Sequence, residues 1–255
     1  MKHAPYLLVD NSNTWTKFCA ASEKRIGQVT HIATSSLTLK SLKQIRQNNS
    51  QARVILCSVV PRIKELFCKI WPTSQRLILD HKTPPFGRDI GIDYPKPETI
   101  GGDRLANTVA CAYLYKLPAI VVDFGTATTF DVISNERKYL GGVIAPGLNA
   151  MTHYLHEKTA LLPKITLKRP RKVIGKSTIE AMHSGAFTGY CGMIKEILQK
   201  IKRDLPQKKI SVIATGGQGD ILTKEILEIQ QTDSLITLRG LHLTAQHNFG
   251  PLAEK

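Results

Sequence analysis

The segments LLVDNSNTWTKF (7–18) and IVVDFGTATTFD (120–131) share one pattern: an apolar run, an Asp, a small polar turn with Thr, and a return to apolar residues. Each segment predicts a β-strand that turns tightly into the next strand, with backbone N–H groups and Thr hydroxyls at the bend. Such a turn suits the oxygens of a phosphate, and the Asp suits an accompanying cation. Two copies that face each other would hold a nucleotide polyphosphate from both sides, which indicates a phosphotransferase.

The composition predicts a folded globular protein with one large domain or two small ones. Of the 255 residues, 42% are hydrophobic and 22% are charged, so disorder is not expected. No apolar run reaches the roughly 20 residues of a membrane-spanning helix, and the N-terminus makes a poor signal peptide. The five cysteines are an odd number without CxxC spacing, which is typical of reduced thiols. These features predict a cytoplasmic protein without a membrane partner.

The net charge of +15 permits two interpretations. Basic clusters at 164–176 and 200–209 are compatible with nucleic-acid binding through phosphate contacts. The alternative is a solvated basic surface that also attracts anionic substrates. No aromatic residues interleave with the clusters, and no helix-turn-helix or zinc-finger pattern is present. The sequence therefore favours the solvated surface and disfavours a nucleic-acid partner.

The rest of the chain predicts alternating strands and helices. Apolar periodicity and turn residues predict strands at 53–60, 76–80, 119–124 and 209–217, and helices at 36–47, 104–116, 148–161, 178–203 and from Pro61 onward. Ser177 and Glu180 form the S-x-x-E signature of a helix start. GKST (175–178) resembles the end of a P-loop, but Pro170 occupies the position of the first P-loop glycine. The Pro- and Gly-rich segment 82–104 predicts a long functional loop.

The junction GGDR (101–104) ends that loop and begins a predicted helix. Helix N-terminal N–H groups attract anions, and Arg104 can hold a carboxylate with two hydrogen bonds. Asp103 can accept a proton from a substrate hydroxyl that attacks phosphorus. Alternatively, Asp103 only caps the helix, which is a common role for Asp. The residues alone leave both roles open.

Taken together, these motifs resemble those of type III pantothenate kinases, members of the superfamily of acetate and sugar kinases, actin and the heat-shock ATPases. The matching segments follow the family's order nearly end to end: VDNSNTWTK, SVVP, Tyr94 with GGDR, DFGTATT, GGVIAPGL, GKSTIEAM, ATGG and LRGL. The resemblance implies an α/β fold of two ribonuclease H-like domains, each a mixed sheet flanked by helices, with the active site in the cleft between them. The implied domains are 1–117, with the first phosphate motif and the substrate loop, and 118–255, with the second phosphate motif and the nucleotide-binding Gly turn.

The resemblance also implies a reaction and the residues that perform it. The reaction is ATP-dependent phosphorylation of pantothenate to 4′-phosphopantothenate, the first step of coenzyme A biosynthesis, with Asp103 as general base. The residues implied to bind ATP are Asp10, Asn11, Ser12, Asn13, Thr14, Trp15, Thr16, Lys17, Thr126, Gly216 and Gly217. The residues implied to bind pantothenate are Tyr94, Gly101, Gly102, Asp103, Arg104 and Thr178. Asp10 is implied to hold magnesium, and Asp123 a monovalent cation, potassium or ammonium. Family members are homodimers, which places the Gly-rich helix around 184–192 at the interface.

Ser12 departs from the family pattern, which has Gly at this position. If the turn requires a positive φ, Ser12 would cost on the order of 1 kcal/mol or more and weaken ATP binding. Alternatively, its hydroxyl replaces a backbone contact. A competing hypothesis follows, in which the chain is a catalytically weakened homologue with a regulatory or nucleic-acid-binding role. The intact Asp103, Asp123 and Thr126 oppose that hypothesis.

Overall fold

Two mixed β-sheets with flanking helices form the protein, as a computed structural model describes it for residues 5–217 and 222–249. The α/β class expected from the sequence is confirmed. The chain forms two compact units. The first unit contains the described residues of 1–117, 133–141 and 235–255, and the second contains those of 118–132 and 142–234. The chain passes from the first unit to the second at Leu117, and residues 133–141 and the C-terminal helix return to the first.

The first sheet contains five strands in the order β3-β2-β1-β4-β5. Their bounds are β1 Tyr6–Asn11, β2 Trp15–Ala21, β3 Ile26–Ala33, β4 Arg53–Ser58 and β5 Arg76–Ile78. β1 pairs antiparallel with β2 and parallel with β4. Every residue of β1 is buried, because helices cover both faces of the sheet at this central strand.

The second sheet repeats this strand order. Its strands are β6 Gly91–Ile92, β7 Ala119–Phe124, β8 Ala127–Ile133, β9 Lys138–Pro146, β10 Ser211–Thr215 and β11 Gln231–Thr232. They lie in the order β11-β10-β7-β8-β9-β6. If β7 to β11 are counted as one to five, both sheets have the order 3-2-1-4-5, and β6 is an addition at one edge. The twelve-residue repeat found in the sequence is therefore the start of a repeated five-stranded sheet.

The helices begin where local capping chemistry places them. Their bounds are α1 Leu39–Asn48, α2 Pro61–Ile70, α3 Gly102–Leu114, α4 Leu148–Lys158, α5 Thr178–Asp204 and α6 Ile236–Phe249. Thr38 and Ser41 form a capping box at α1, and Pro61 occupies the first turn of α2. The Ser177 hydroxyl accepts the Glu180 N–H at the start of α5, which confirms the predicted helix start.

Successive residues of the central strand β1 pack into two different hydrophobic clusters, one on each face of the first sheet. Leu7 and Val9 face α1 and α2 in one core cluster, whereas Tyr6 and Leu8 face α3 and α6 in another. This alternation follows from the period of two in a strand. Asp10 continues the row of Tyr6 and Leu8 on the face that α3 covers.

The connection between β5 and α3 is the long loop predicted from the sequence. It contains a cis peptide bond between Pro84 and Pro85. Within the described residues, no helix has the length and hydropathy to cross a membrane.

Candidate active site

Asp10 lies at the end of β1 and is held by three neighbours. Lys17, its partner in the β1–β2 register, places Nζ 3.1 Å from Oδ2. The Ser12 hydroxyl donates to Oδ1 at 3.3 Å, and the Cys57 thiol donates to the same oxygen at 3.7 Å. Burial, followed by the negative charges of Asp10 and Asp103, raises the pKa of the Cys57 thiol well above its ordinary value. The thiol therefore remains a donor at neutral pH.

The turn after β1 contains buried residues at its base and exposed residues at its tip. Asn11 donates to Thr16 Oγ1 at 2.7 Å and accepts from the Ser58 hydroxyl at 2.6 Å. Both Asn11 and Thr16 are buried, so their side chains support the turn from within. Asn13, Thr14 and Trp15 are exposed at its tip, which makes the tip the part of the predicted ATP motif that is open to a ligand.

Ser12 adopts an ordinary backbone conformation in this turn. Among the described residues, Arg137 is the single non-glycine residue with positive φ. The Ser12 N–H donates to Trp15 O at 3.1 Å, and its carbonyl accepts from the Thr34 hydroxyl at 2.7 Å. The strain expected if the turn required positive φ is absent, so Ser12 gives no support to a weakened homologue.

Asp103 lies in the first turn of α3, where the charge of Asp10 acts on it. Its Oδ1 accepts the Arg104 N–H at 2.9 Å, and the side chain is partly buried. Burial raises the pKa of Asp103, the Arg104 N–H lowers it, and the negative charge of Asp10 raises it further, with a net upward shift. A raised pKa improves a carboxylate as a proton acceptor near neutral pH and is common at functional sites.

Gly102 allows α3 to approach β4 at this point. A Cβ on Gly102 would lie 3.1 Å from Cys57 Cβ and 3.3 Å from Leu79 O. Cys57 is in turn the register partner of Asp10 on the adjacent strand. The close approach of helix and strand therefore brings the two carboxylates, Asp10 and Asp103, under each other's electrostatic influence.

Tyr94 and Arg104 meet on the ring of Tyr139. The rings of Tyr94 and Tyr139 pack edge to face with centroids 6.0 Å apart, and the Arg104 guanidinium lies 5.7 Å from the Tyr139 centroid. Gly141 adopts φ +112, and a Cβ there would lie 3.5 Å from the Tyr94 ring. The sequence interpretation missed Tyr139 as the platform of this group. The signal available in the sequence was an aromatic residue two positions before Gly141 and Gly142.

In the second unit, Asp123 and Gly216 lie side by side. β7 and β10 are parallel neighbours, with Thr215 opposite Asp123. Gly216 adopts φ +90, and a Cβ there would lie 2.7 Å from Asp123 Oδ1. Positive φ and this close approach both require glycine. Gly217 follows and is exposed, while the next four residues of this turn lie outside the described residues.

Thr126 is exposed in the two-residue turn between β7 and β8. The Gly125 N–H donates to Ala127 O across this turn at 3.2 Å. A Cβ on Gly147 would collide with the backbone carbonyl of Thr126. Gly147, the last glycine of GGVIAPGL, therefore packs directly on the turn. Backbone contacts thus hold the turn of the predicted second phosphate motif, whereas backbone and side-chain hydrogen bonds together hold the first.

Thr178 occupies a different environment in the second unit. It is the first residue of α5 and is exposed. It lines an apolar cavity of about 580 Å³ between α4 and α5, together with Met151, Tyr154, Leu155 and Met182. The predicted pantothenate contact therefore lies at the rim of an apolar surface.

No group of three or more His, Cys, Asp or Glu side chains that could hold a metal ion occurs among residues 5–217 and 222–249. A single carboxylate ligand such as Asp10 fits a Mg²⁺ ion that is held largely by nucleotide phosphates and water.

Comparison with known proteins identifies the family. A family model described as type III pantothenate kinase matches residues 6–200. The chain is 43% identical to a type III pantothenate kinase of Methylacidiphilum infernorum, over 94% of this chain and 88% of the relative. It is 44% identical to one of Akkermansia muciniphila, over 95% of this chain and 99% of the relative. A solved structure from Sinorhizobium meliloti, described as a 2-dehydro-3-deoxygalactonokinase, shares the fold with a TM-score of 0.62 at 14% identity, covering 98% of each chain. The chain belongs to the type III pantothenate kinase family.

Proposed function

We propose that the protein transfers the γ-phosphoryl group of ATP to the primary hydroxyl of pantothenate, with Asp103 as general base. The product is 4′-phosphopantothenate, the first intermediate towards coenzyme A. One observation carries the assignment of Asp103: a partly buried carboxylate at a helix start has its pKa raised by burial and by Asp10. The N-cap of α3 is Gly101, without a side-chain capping hydrogen bond, which opposes the alternative that Asp103 only caps the helix.

In the proposed reaction, the pantothenate hydroxyl oxygen forms a bond to the γ-phosphorus. The bond from that phosphorus to the β,γ-bridging oxygen breaks, and ADP leaves with the electron pair. The hydroxyl proton passes to the Asp103 carboxylate. Phosphoryl transfer depends on positioning and charge neutralisation more than on covalent chemistry by the protein, so one base and fixed anion-binding turns are sufficient machinery.

The residues of the first unit supply the rest of that machinery. The open tip of the first turn, Asn13 to Trp15, and Lys17 would contact the phosphates of ATP. Asp10 would hold Mg²⁺, which neutralises phosphate charge when bound; the Lys17 ammonium 3.1 Å from Oδ2 supports a cation at this oxygen. Arg104, with its guanidinium over the Tyr139 ring, would bind the pantothenate carboxylate, and Tyr94 would pack on the substrate.

The residues of the second unit would bind the nucleotide and a monovalent cation. Thr126 in its exposed turn would donate to a phosphate oxygen, and Gly216 and Gly217 would lie near the nucleotide. Asp123 would hold potassium or ammonium. The arrangement of Asp123 Oδ1 beside Gly216 supports this, since hard oxygen atoms are the ligands that such cations prefer.

The proposal predicts a reaction that requires potassium. We expect ADP release from purified protein with ATP, Mg²⁺ and pantothenate in potassium, and at least about 10-fold less in sodium. Asp123→Ala is expected to lose the potassium dependence and most turnover, whereas Glu196→Gln, an exposed carboxylate on α5, should change neither. Folded protein without pantothenate-dependent ADP release in either salt would overturn the proposed function, and release that is equal in both salts would overturn the role of Asp123.

Ser12→Gly is expected to leave catalysis nearly unchanged. The turn already has ordinary backbone angles at this position, so glycine relieves no strain and removes one 3.3 Å hydrogen bond to Asp10. A well-formed hydrogen bond to a charged group contributes about 1.5–3 kcal/mol, but this bond is longer than an ordinary O–H···O bond and only partly buried, so we expect the KM for ATP to rise by less than about 10-fold. A marked fall in the KM for ATP in Ser12→Gly would show instead that Ser12 disables the site.

We also propose that the protein is a homodimer that buries the apolar surface of α4 and α5. Tyr154 lines the apolar cavity and is 63% exposed. Leu161 and Ile179 are the chain neighbours of the lining residues Leu162 and Thr178 and are 91% and 49% exposed. Such exposure of several large apolar side chains in one region is typical of an interaction surface. Gly185 and Gly192 on α5 have open space in front of their Cα atoms. Small residues of this kind permit close helix packing by a second copy.

We also propose that the protein works in the reducing cytoplasm, because all five cysteines are free thiols.

A further inference from the structure

A second cavity in the second unit is lined mainly by cations. It has a volume of about 490 Å³, and five of its nine lining residues are basic: Lys168, Arg169, Arg171, Lys172 and Lys176. These side chains are exposed. None of the five belongs to the residues that the proposed kinase reaction uses.

Most of these cations lack an acidic partner. Arg169 pairs with Glu225 at 2.7 Å. Among the described residues, no carboxylate lies within ion-pair distance of Lys168, Arg171, Lys172 or Lys176. The one acid that lines the cavity, Glu180, accepts the backbone N–H of Lys176 at 2.7 Å. Uncompensated positive charges around one concave surface repel each other and create a strong potential for anions.

The basic segment is fixed on α5 by contacts that do not use its charges. The Ser184 hydroxyl donates to Val173 O at 2.6 Å, and His183 Nδ1 accepts the Lys168 N–H at 3.2 Å. Because Nδ1 is the acceptor, the neutral His183 ring carries its proton on Nε2. A Cβ on Gly175 would collide with the Ala181 backbone. The cations are thus arranged on a fixed backbone and do not belong to a loose tail.

We propose that this cavity, which we call the basic cavity, binds a chain of phosphate groups. Four cations without acidic partners match several adjacent negative charges better than one carboxylate or one phosphate. The lining contains no Phe, Tyr or Trp, so recognition rests on phosphate oxygens and not on stacking with bases. The phosphate chain can come from a free oligophosphate or from the backbone of a single-stranded nucleic acid, and both present the same chemistry.

The test measures binding of two probes to the full chain in about 150 mM salt with saturating ADP, which occupies the nucleotide site. The probes are tripolyphosphate, followed by calorimetry, and a labelled fifteen-nucleotide thymidine strand, followed by fluorescence anisotropy. The variant is Arg171→Ala with Lys172→Ala. The matched control, Lys40→Ala with Lys43→Ala, removes the same charge from exposed positions on α1.

We expect the cavity variant to weaken binding of at least one probe about 10-fold or more and the control less than 2-fold. The slope of log affinity for the strand against log salt should become shallower by roughly 1.4 in the cavity variant, as expected for two lost phosphate contacts to a single strand. Gly175→Ala, which keeps every charge, should also weaken binding, because it displaces the segment from α5. Tripolyphosphate binding alone identifies a free oligophosphate as the ligand, and strand binding alone identifies a nucleic acid.

Equal weakening by the cavity variant and the control would overturn the proposal, because the attraction would then come from net charge. Failure of both probes to bind would also overturn it. If Gly175→Ala remains folded by its thermal midpoint and binds like the parent protein, the arranged cavity is not the site. None of these outcomes depends on kinase turnover, so they are independent of the proposed function.

Discussion

Asp103→Asn is expected to lower kcat by about 10²–10⁴-fold, the usual cost of removing a general base. The amide has nearly the shape of the carboxylate and can still accept the Arg104 N–H that Oδ1 now accepts at 2.9 Å. The start of α3 should therefore remain intact. Because the amide cannot take up the hydroxyl proton, the loss should appear in kcat more than in the KM for pantothenate. Steady-state ADP release checks this result.

The same substitution is expected to stabilise the protein at neutral pH. The native pKa of Asp103 is raised, first by burial and also by Asp10, so the charged form is less favourable in the folded state than in the unfolded chain. That penalty is present above the raised pKa and disappears below the unfolded value of about 3.9. Asn at this position removes the penalty. The Asp103→Asn protein should therefore have the higher Tm at pH 7, and the difference should shrink as the pH falls towards that value.

Opposite changes in activity and stability distinguish a catalytic base from a helix cap. A residue that only caps α3 would lower stability when replaced and leave the chemistry of the folded enzyme nearly intact. Glu98→Gln is the matched control, since Glu98 is an exposed carboxylate in the same loop. It should change neither kcat nor Tm. Unchanged turnover in Asp103→Asn would contradict the assignment of Asp103.

The sequence predicts the elements of this fold well because their causes are local. The apolar run before Asp10, the turn and the apolar return specify one hairpin, and the same pattern specifies the hairpin after Asp123. Pro61 and Ser177 mark helix starts through local chemistry that involves a few neighbouring residues. Each of these predictions needs only information within one turn of chain.

The features that the sequence does not predict depend on contacts between distant segments. The edge strand β6 lies within a loop of Pro and Gly and pairs with β9 through Gly91 and Lys138. The ring of Tyr139 joins Tyr94 and Arg104, which are far from it in sequence. The motif predicts that Asn11 contacts a phosphate. In the structure its side chain is buried and forms hydrogen bonds with Thr16 and Ser58. A motif identifies which residues gather at a site, and the packing decides which of them face a ligand.

The packing of α6 on α3 is another long-range feature, and it makes Gly240 the position where a methyl group should be most damaging to stability. A Cβ on Gly240 would fall on the backbone carbonyl of Ala106, a buried residue of α3. Neighbouring contacts, such as the Thr237 hydroxyl bond to Asn107 Oδ1 at 2.8 Å, hold the two helices at this separation. Backbone atoms cannot rotate away as a side chain can, so the helices must separate.

We therefore expect Gly240→Ala to reduce the free energy of unfolding by about 3 kcal/mol, at the high end for overpacking of a core. This loss should exceed the roughly 1 kcal/mol that alanine gains over glycine in a helix interior. Urea unfolding measures it as a lower midpoint at an unchanged slope. Gln246→Ala on the same helix is the control, because it loses only a surface hydrogen bond to Glu23 O and should cost about 1 kcal/mol or less. Equal midpoints for the two variants would mean that α3 and α6 can separate at little cost, and the start of α3 that carries Asp103 would then not be fixed by this helix pair.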